Sequence, residues 1–230
     1  MKKISILLCC YNGAGFVENA LRSAFSQTLP QEQVEVVFVN DGSTDSTEKT
    51  VAAYRSRPNF RYLKNPSNLG LVRSCNRGLE AARGDYLVRL DADDTFDPSL
   101  LEELREPLDR EAADFVSCDR RESDGARGET RIVRIEPFNL FRLIAIGTLM
   151  RRELLLQIGG WRELFFEEYD LYLRYLRLSG RPPVHLSKPL LTYAIRPGSM
   201  TSDPVRTERG WRELRELWPE EVLAERGAVA

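Results

Sequence analysis

Residues 4–13 read Ile4-Ser5-Ile6-Leu7-Leu8-Cys9-Cys10-Tyr11-Asn12-Gly13. The run is apolar and β-prone without alternation, then breaks into a polar turn. A strand buried on both faces, as in a parallel sheet, has that pattern. It recurs: Val34–Val39 leads into Asn40-Asp41-Gly42, and Tyr86–Leu90 leads into Asp91-Ala92-Asp93-Asp94. Between these strands, Val17, Leu21, Ala24 and Phe25 fall at helical spacing. Asp45 with Glu48 resembles a helix-starting box, continued through Val51 to Tyr54. Leu71–Ala82 reads as a helix closed by Gly84, and Pro98 opens another through Leu100, Leu101 and Leu104. Phe60–Leu63 and Phe115–Cys118 add short strands. This alternation predicts an α/β fold, a doubly wound, mostly parallel sheet flanked by helices. Ligands of such sheets bind beyond the carboxyl ends of strands, so the three polar turns are expected to converge on one cleft.

The second half is less regular. Glu122–Glu129 reads as a charge- and Gly-rich loop or hairpin, and Arg131–Ile135 as a strand. Leu149–Ile158 is expected to be a helix ending at Gly159-Gly160. Glu167–Ser179 reads as an amphipathic helix with an Asp170/Arg174 pair one turn apart. Val184–Leu186 and Leu190–Ile195 read as short strands around Pro189, and Arg206–Arg226 as a C-terminal helix. In that helix arginines alternate with Trp211, Leu214, Leu217 and Trp218. The stripe packs on the body of the protein, or it meets an anionic membrane surface.

The chain has 230 residues, 42% hydrophobic and 30% charged, which is a globular composition with ample material for a core. Lys and Arg total 33 against 35 Asp and Glu, a net charge of −2, which argues against a nucleic-acid binder. One histidine, His185, excludes His-rich metal sites and two-histidine catalysis. Cys9, Cys10, Cys75 and Cys118 have no CxxC spacing, so they are read as reduced, small apolar groups of a cytoplasmic protein. The basic start and brief apolar run fit a first strand rather than a signal peptide. No stretch approaches the roughly 20 apolar residues of a membrane span.

The chemistry-bearing candidates each have a plainer reading beside them. Asp91-Ala92-Asp93-Asp94 offers oxygen ligands to Mg²⁺ or Mn²⁺, or is an acidic turn ahead of a helix. Gly13-Ala14-Gly15 lacks the third glycine of a dinucleotide fingerprint, since Glu18 stands there. Asn40-Asp41-Gly42-Ser43-Thr44-Asp45 is a turn and helix cap, or presents a carboxylate to a base N–H. Glu167-Glu168-Tyr169-Asp170 favours a helix N-terminus through the macrodipole, or supplies a general base whose pKa is raised by like charges.

Taken in order, these pieces resemble an inverting family 2 glycosyltransferase of the GT-A fold. Ile4–Asn12 matches its opening strand, Asn40–Asp45 its DDGSTD segment, and Asn68-Leu69-Gly70-Leu71 with Arg73, Asn76 and Gly78 its NLGL stretch. Asp91–Asp93 is its DxD motif. Ile158-Gly159-Gly160-Trp161 resembles the acceptor-side GG segment, Glu167–Leu171 with Arg174 the acidic helix start, and Tyr193–Met200 the closing stretch. The resemblance spans about residues 2–202.

That resemblance implies a donor site in which Tyr11 stacks on a nucleobase and Asp41 hydrogen-bonds it, with Asn12, Arg73, Ala92, Gly160 and Trp161 nearby. Asp91 would reach the ribose. Asp93, with Asp91, would hold Mn²⁺ or Mg²⁺ against the diphosphate. Glu168 would deprotonate the acceptor hydroxyl in a single inverting displacement, with Glu167 and Asp170 as contenders, because the family more often has Asp where Glu168 stands. Arg196 stands where the family often has histidine, and would neutralise the diphosphate. The implied donor is a UDP-sugar, with GDP- and dTDP-sugars open. The implied acceptor is a surface polysaccharide or a lipid-linked glycan, the latter suiting peripheral attachment at the cytoplasmic face of the membrane. The expected organisation is one domain over 1–230: a donor half over 1–120, a smaller acceptor-side lobe over 121–205 and a C-terminal helix over 206–230. Two rivals are a sugar-phosphate nucleotidyltransferase, which needs a basic phosphate loop that Tyr11–Gly15 lacks, and a non-catalytic nucleotide-sugar-binding module, prompted by Glu168 and Arg196.

Overall fold

The computed structural model describes residues 3–196 and 203–227. Its first half runs β1 (Ile4–Cys10), α1 (Val17–Phe25), β2 (Val34–Asn40), α2 (Thr47–Val51), β3 (Phe60–Lys64), α3 (Leu71–Ala81), β4 (Tyr86–Arg89), β5 (Thr95–Phe96) and α4 (Leu100–Asp109). The second half adds β6 (Phe115–Asp124), β7 (Glu129–Val133), β8 (Leu149–Arg151), α5 (Arg152–Gln157), α6 (Glu167–Leu178), β9 (Val184–Ile195), α7 (Pro204–Leu217) and α8 (Glu220–Glu225).

The strands order as β3-β2-β1-β4-β8-β6-β9-β5, with β7 paired on β6. The β3-β2-β1-β4 half is parallel throughout. β1, β2 and β4 are nearly all buried because both faces are covered, whereas the edge strand β3 is only partly buried. One core, around Ile6, Leu8, Phe38 and Val88, lies beneath α1 and α4. The other, around Leu7, Val39, Leu87 and Phe115, lies beneath α3, α5 and α6. Cys9 and Cys10 belong to opposite faces, as their adjacency in a strand requires. All described cysteines are free.

The second half departs from its expected elements. Leu149–Ile158 is not one helix: Leu149–Arg151 pairs antiparallel with both β4 and β6, and the helix starts only at Arg152. Edge-to-edge pairing with Val88 and Val116 outcompetes the helical propensity of those residues. Of the loop or hairpin expected over Glu122–Glu129, the hairpin forms, with Glu122 in β6 held by Arg120 of its own strand and by Arg131 across the hairpin. The two strands expected around Pro189 are one, β9, which absorbs the proline at register shifts against β6. The C-terminal helix breaks at Trp218-Pro219, and α8 is a separate turn. Glu48 does not close a box with Asp45, because Lys64 and Arg55 hold it; Asp45 accepts from Thr47 N instead.

Of the stripe, Trp211, Leu214 and Trp218 pack inward, whereas Leu217 is exposed. Trp211 sits among Phe141, Phe166 and Tyr169, with ring centroids 5.0–5.8 Å apart. No helix among the described residues is long and apolar enough to cross a membrane.

Candidate functional site

β1, β2 and β4 end together, and their turns meet there. Asp41 N donates to Cys10 O, and Leu90 N donates to Leu7 O. The chain passes from β4 through Asp91–Asp94 into β5, and β5 pairs antiparallel with β9, Thr95 opposite Thr192. This pairing brings the end of β9 beside the acidic turn: Ala194 N donates to Asp94 Oδ1 at 2.7 Å. From across the sheet, α6 delivers its first turn to the same place. The result is a cleft of about 750 Å³ lined by Tyr11, Asp91, Ala92, Asp93, Glu167, Glu168 and Arg196, with Cys9, Leu71, Arg89, Phe165 and Tyr193 among its walls.

Tyr11 is 46% exposed at the mouth, a ring available to a flat ligand. Asp91 accepts from Arg89 twice, Nε to Oδ1 at 2.6 Å and Nη2 to Oδ2 at 3.0 Å. Arg89 Nη1 also donates to Glu167 at 2.9 Å. Asp93 lies 3.2 Å from Arg196 Nε, and the Arg196 guanidinium stacks 4.1 Å over the Phe16 ring. Burial, reinforced by Asp91, holds the Asp93 carboxyl above the ordinary carboxylate range. Asp94 is fully enclosed, and burial followed by the charge of Asp91 pushes it up to about 8. Glu168 is half-buried; burial and then the adjacent Glu167 push it up to about 8.

The remaining expected residues lie off this lining. Asp41 is buried, and its carboxylate accepts from Asn65 Nδ2, Leu69 N and Gly70 N, so it anchors the loop that opens α3. Asn12, at φ 52°, accepts from Thr44 N and ties the first turn to the second. Arg73 pairs with Glu163 at 2.6 Å in an adjoining groove of about 680 Å³ shared with Asn68, Arg206 and Arg209. Gly160 and Trp161 are pinned on α3: Asn76 accepts from Trp161 N and donates to Trp161 O. Asp170 is fully buried, held by Arg174 at 2.7 Å and Trp218 Nε1 at 3.1 Å. His185 bridges Ser117 and Asp119, away from the cleft. Of the closing stretch, Pro197–Met200 lie outside the described residues.

Reading the sequence missed Arg89, and it named Asp94 only within the acidic run Asp91–Asp94. The signal was present for Arg89, a charge inside the apolar run Tyr86–Leu90, since buried charges persist only where paired.

Among the described residues no cluster of three or more His, Cys, Asp or Glu forms a metal cage. Mg²⁺ and Mn²⁺ do not need one. They are commonly held by one or two carboxylates together with substrate phosphates. Asp93, a hard oxygen donor on the cleft wall, fits that demand, whereas both oxygens of Asp91, the other expected ligand, already accept from Arg89.

The sequence profile of glycosyl transferase family 2 matches residues 5–169. This chain belongs to glycosyl transferase family 2. Among curated proteins, the family 2 chain is 29% identical to cholesterol galactosyltransferase of Borreliella burgdorferi over 114 residues, 50% of this chain and 31% of that protein. It is 33% identical to poly-beta-1,6-N-acetyl-D-glucosamine synthase of Staphylococcus epidermidis over 94 residues, 41% and 22% of the two. The matches thus span no more than about a third of either relative. The fold matches S. aureus TarS in complex with UDP-GlcNAc at a TM-score of 0.81 and 23% identity, over 97% of this chain and 71% of that one. It also matches a Pyrobaculum calidifontis mannosyltransferase in complex with GDP-Man and Mn²⁺ at 0.73 and 18%, over 94% and 64%. The architecture of this family 2 member is accordingly GT-A, a curled and mostly parallel sheet flanked by helices.

Proposed function

We propose that this family 2 chain transfers a sugar from a nucleoside-diphosphate sugar to an acceptor hydroxyl with inversion at the anomeric carbon. The observation that carries this reading is the lining of one cleft by two acidic pairs, Asp91 and Asp93 at a strand end and Glu167 and Glu168 at a helix start. On this reading Tyr11 stacks on the base and Asp91 accepts from ribose hydroxyls. Asp93 holds Mn²⁺ or Mg²⁺, which when bound supplies positive charge to the diphosphate. Arg196, cationic beside Asp93, supplies further charge there. Glu168 takes the proton of the acceptor hydroxyl as its oxygen bonds to the anomeric carbon. The bond from that carbon to the diphosphate oxygen breaks, and the nucleoside diphosphate leaves with the electron pair. A raised pKa suits Glu168 to this work near neutral pH.

The donor we infer is a UDP-sugar, supported by UDP-GlcNAc in the TarS complex. The acceptor we infer is a glycan or lipid-linked glycan of the cell surface, met at the cytoplasmic face of the membrane. We treat the chain as one catalytic unit, because a single sheet runs through both halves.

A thermal-shift panel of UDP-, GDP- and dTDP-sugars with and without Mn²⁺ tests the reading. A donor at a hundredfold excess over its Kd adds about 2.7 kcal/mol of apparent stability. That amounts to several degrees for a chain of this size, at roughly 2–4 °C per kcal/mol. Nucleoside diphosphate released into a glycosylated product completes it. No shift with any donor, or pyrophosphate formed from a sugar 1-phosphate and a nucleoside triphosphate, overturns it.

A further inference from the structure

Arg89 is the group most at odds with its surroundings. It closes β4, whose four residues are all buried, and is itself only 5% exposed. A guanidinium in such a place must be neutralised and hydrogen-bonded. Its planar fork is met by both oxygens of Asp91, and its remaining Nη1 by Glu167. One cation thus ties the strand-end carboxylate to the first turn of α6, 78 residues further along the chain.

The consequence lies in what each carboxylate has left to offer. An ionised carboxylate has about four lone-pair sites. Arg89 takes one on each oxygen of Asp91, which leaves an outer site on each, suited to a pair of neighbouring hydroxyls. Its charge is already countered, so Asp91 is a poor holder of a second cation. Glu167 is enclosed and paired in the same way. Glu168, the next residue, lines the cleft and has no ion pair among the described residues. Asp93 also lines the cleft, and among the described residues its ion pair is with the surface arginine Arg196.

We propose that Arg89 is a positioning residue which sorts these four carboxylates: it fixes Asp91 for the ribose hydroxyls and Glu167 as a structural counter-ion, and so leaves Asp93 for the cation and Glu168 for the acceptor proton. This rests on the reading of Glu168 as the base. The upward push on Glu168 agrees with it, since after burial its cause is the Glu167 carboxyl beside it. Lysine cannot replace the arrangement. Its ammonium is a single point of charge without a fork, and it cannot grip both oxygens of Asp91 while reaching Glu167.

The test compares wild type with Arg89→Lys and Glu168→Gln. Binding of UDP, GDP and dTDP, each with Mn²⁺, is measured by calorimetry. Donor turnover is measured with the sugar nucleotide that the wild-type enzyme consumes from the panel. Arg89→Lys is expected to weaken the best-bound nucleotide by about tenfold, as one misplaced charge-assisted hydrogen bond does. It is expected to lower kcat by about a hundredfold through misalignment, beyond its effect on donor KM. Wild-type affinity and kcat in a folded Arg89→Lys overturn the inference, as does a loss confined to thermal stability. Should Arg89→Lys fail to fold, Asp91→Asn, Glu167→Gln and their double variant replace it. If one cation holds both carboxylates, the double variant loses at least about threefold less in kcat than the product of the single losses; multiplicative losses overturn the link. If Glu168→Gln turns over normally, the base assignment fails and this inference with it. If Glu168→Gln is inactive while Arg89→Lys is normal, only the inference about Arg89 fails. A wild type that binds none of the nucleotides sinks the functional reading and the inference together.

Discussion

Asp41, Asp91, Asp93, Glu167, Glu168 and Asp170 carry the same functional group, and their partners tell them apart. Asp41 and Asp170 are consumed by backbone amides, Asn65, Arg174 and Trp218. Asp93 keeps its face to the cleft, so Asp93→Ala is expected to lower Mn²⁺-dependent UDP affinity by about a hundredfold, as loss of a metal-held diphosphate contact should. Calorimetry with and without Mn²⁺ checks this, and unchanged affinity would remove Asp93 from the site. Glu168→Gln is expected to bind nucleotide normally while transfer falls by about 10²–10⁴, the usual contribution of a general base. Wild-type transfer should rise with pH and level off above about 8, where Glu168 is ionised. The stability of the folded chain should run the other way. A carboxyl raised from 4.5 to about 8 keeps its proton longer when folded than when unfolded, so unfolding free energy declines across that interval. Glu168→Gln should remove its share of the slope in a Tm-against-pH series. Asp91, Asp93 and Glu168 were legible in the sequence because their neighbours along the chain announce a strand end or a helix start. The enclosure of Asp41 and Asp170 was not, because Asn65 and Trp218 reach them only through the fold.

Most elements of the first half were legible because they obey one period and end on their own turn chemistry; the two-residue β5 was not, since it exists by pairing with β9. Those of the second half are decided by partners elsewhere. Leu149–Arg151 is a strand because β4 and β6 each offer it an open edge, and β9 runs through Pro189 because β6 shifts register to meet it. At the carboxyl end of β2, two turns are packed nearly backbone to backbone. Gly42 has φ 69°, and a Cβ added there would collide with the main chain of Ser67. Gly42→Ala is therefore expected to cost about 1–3 kcal/mol through overpacking and left-handed strain, read as a lowered midpoint in urea. Elsewhere, Trp211 wedges α7 against Phe166, the residue that precedes α6. Trp211→Ala should destabilise by about 3 kcal/mol, in the range of large aromatic truncations, measured by the same titration. A loss under 0.5 kcal/mol would mean that α7 is an ornament on the fold.

At the scale of the molecule, strands from both halves interleave in one sheet, so the expected unfolding is a single transition with equal calorimetric and van't Hoff enthalpies. Two resolved transitions would divide the chain into independent units. The overall class of the sheet was legible from its strand–helix rhythm, whereas the order of its strands was not. Periodicity says what a segment is, and long-range pairing says where it goes. That order bears on how the protein is made. β9 slots between β6 and β5, and β5 was synthesised some ninety residues earlier. A ribosome releases Tyr11, Asp91 and Asp93 well before Glu168, and Arg196 later still. A nascent chain therefore carries a half-formed sheet with an unfilled slot beside β5. Until the last strand threads into that slot, the growing polypeptide has no assembled cleft.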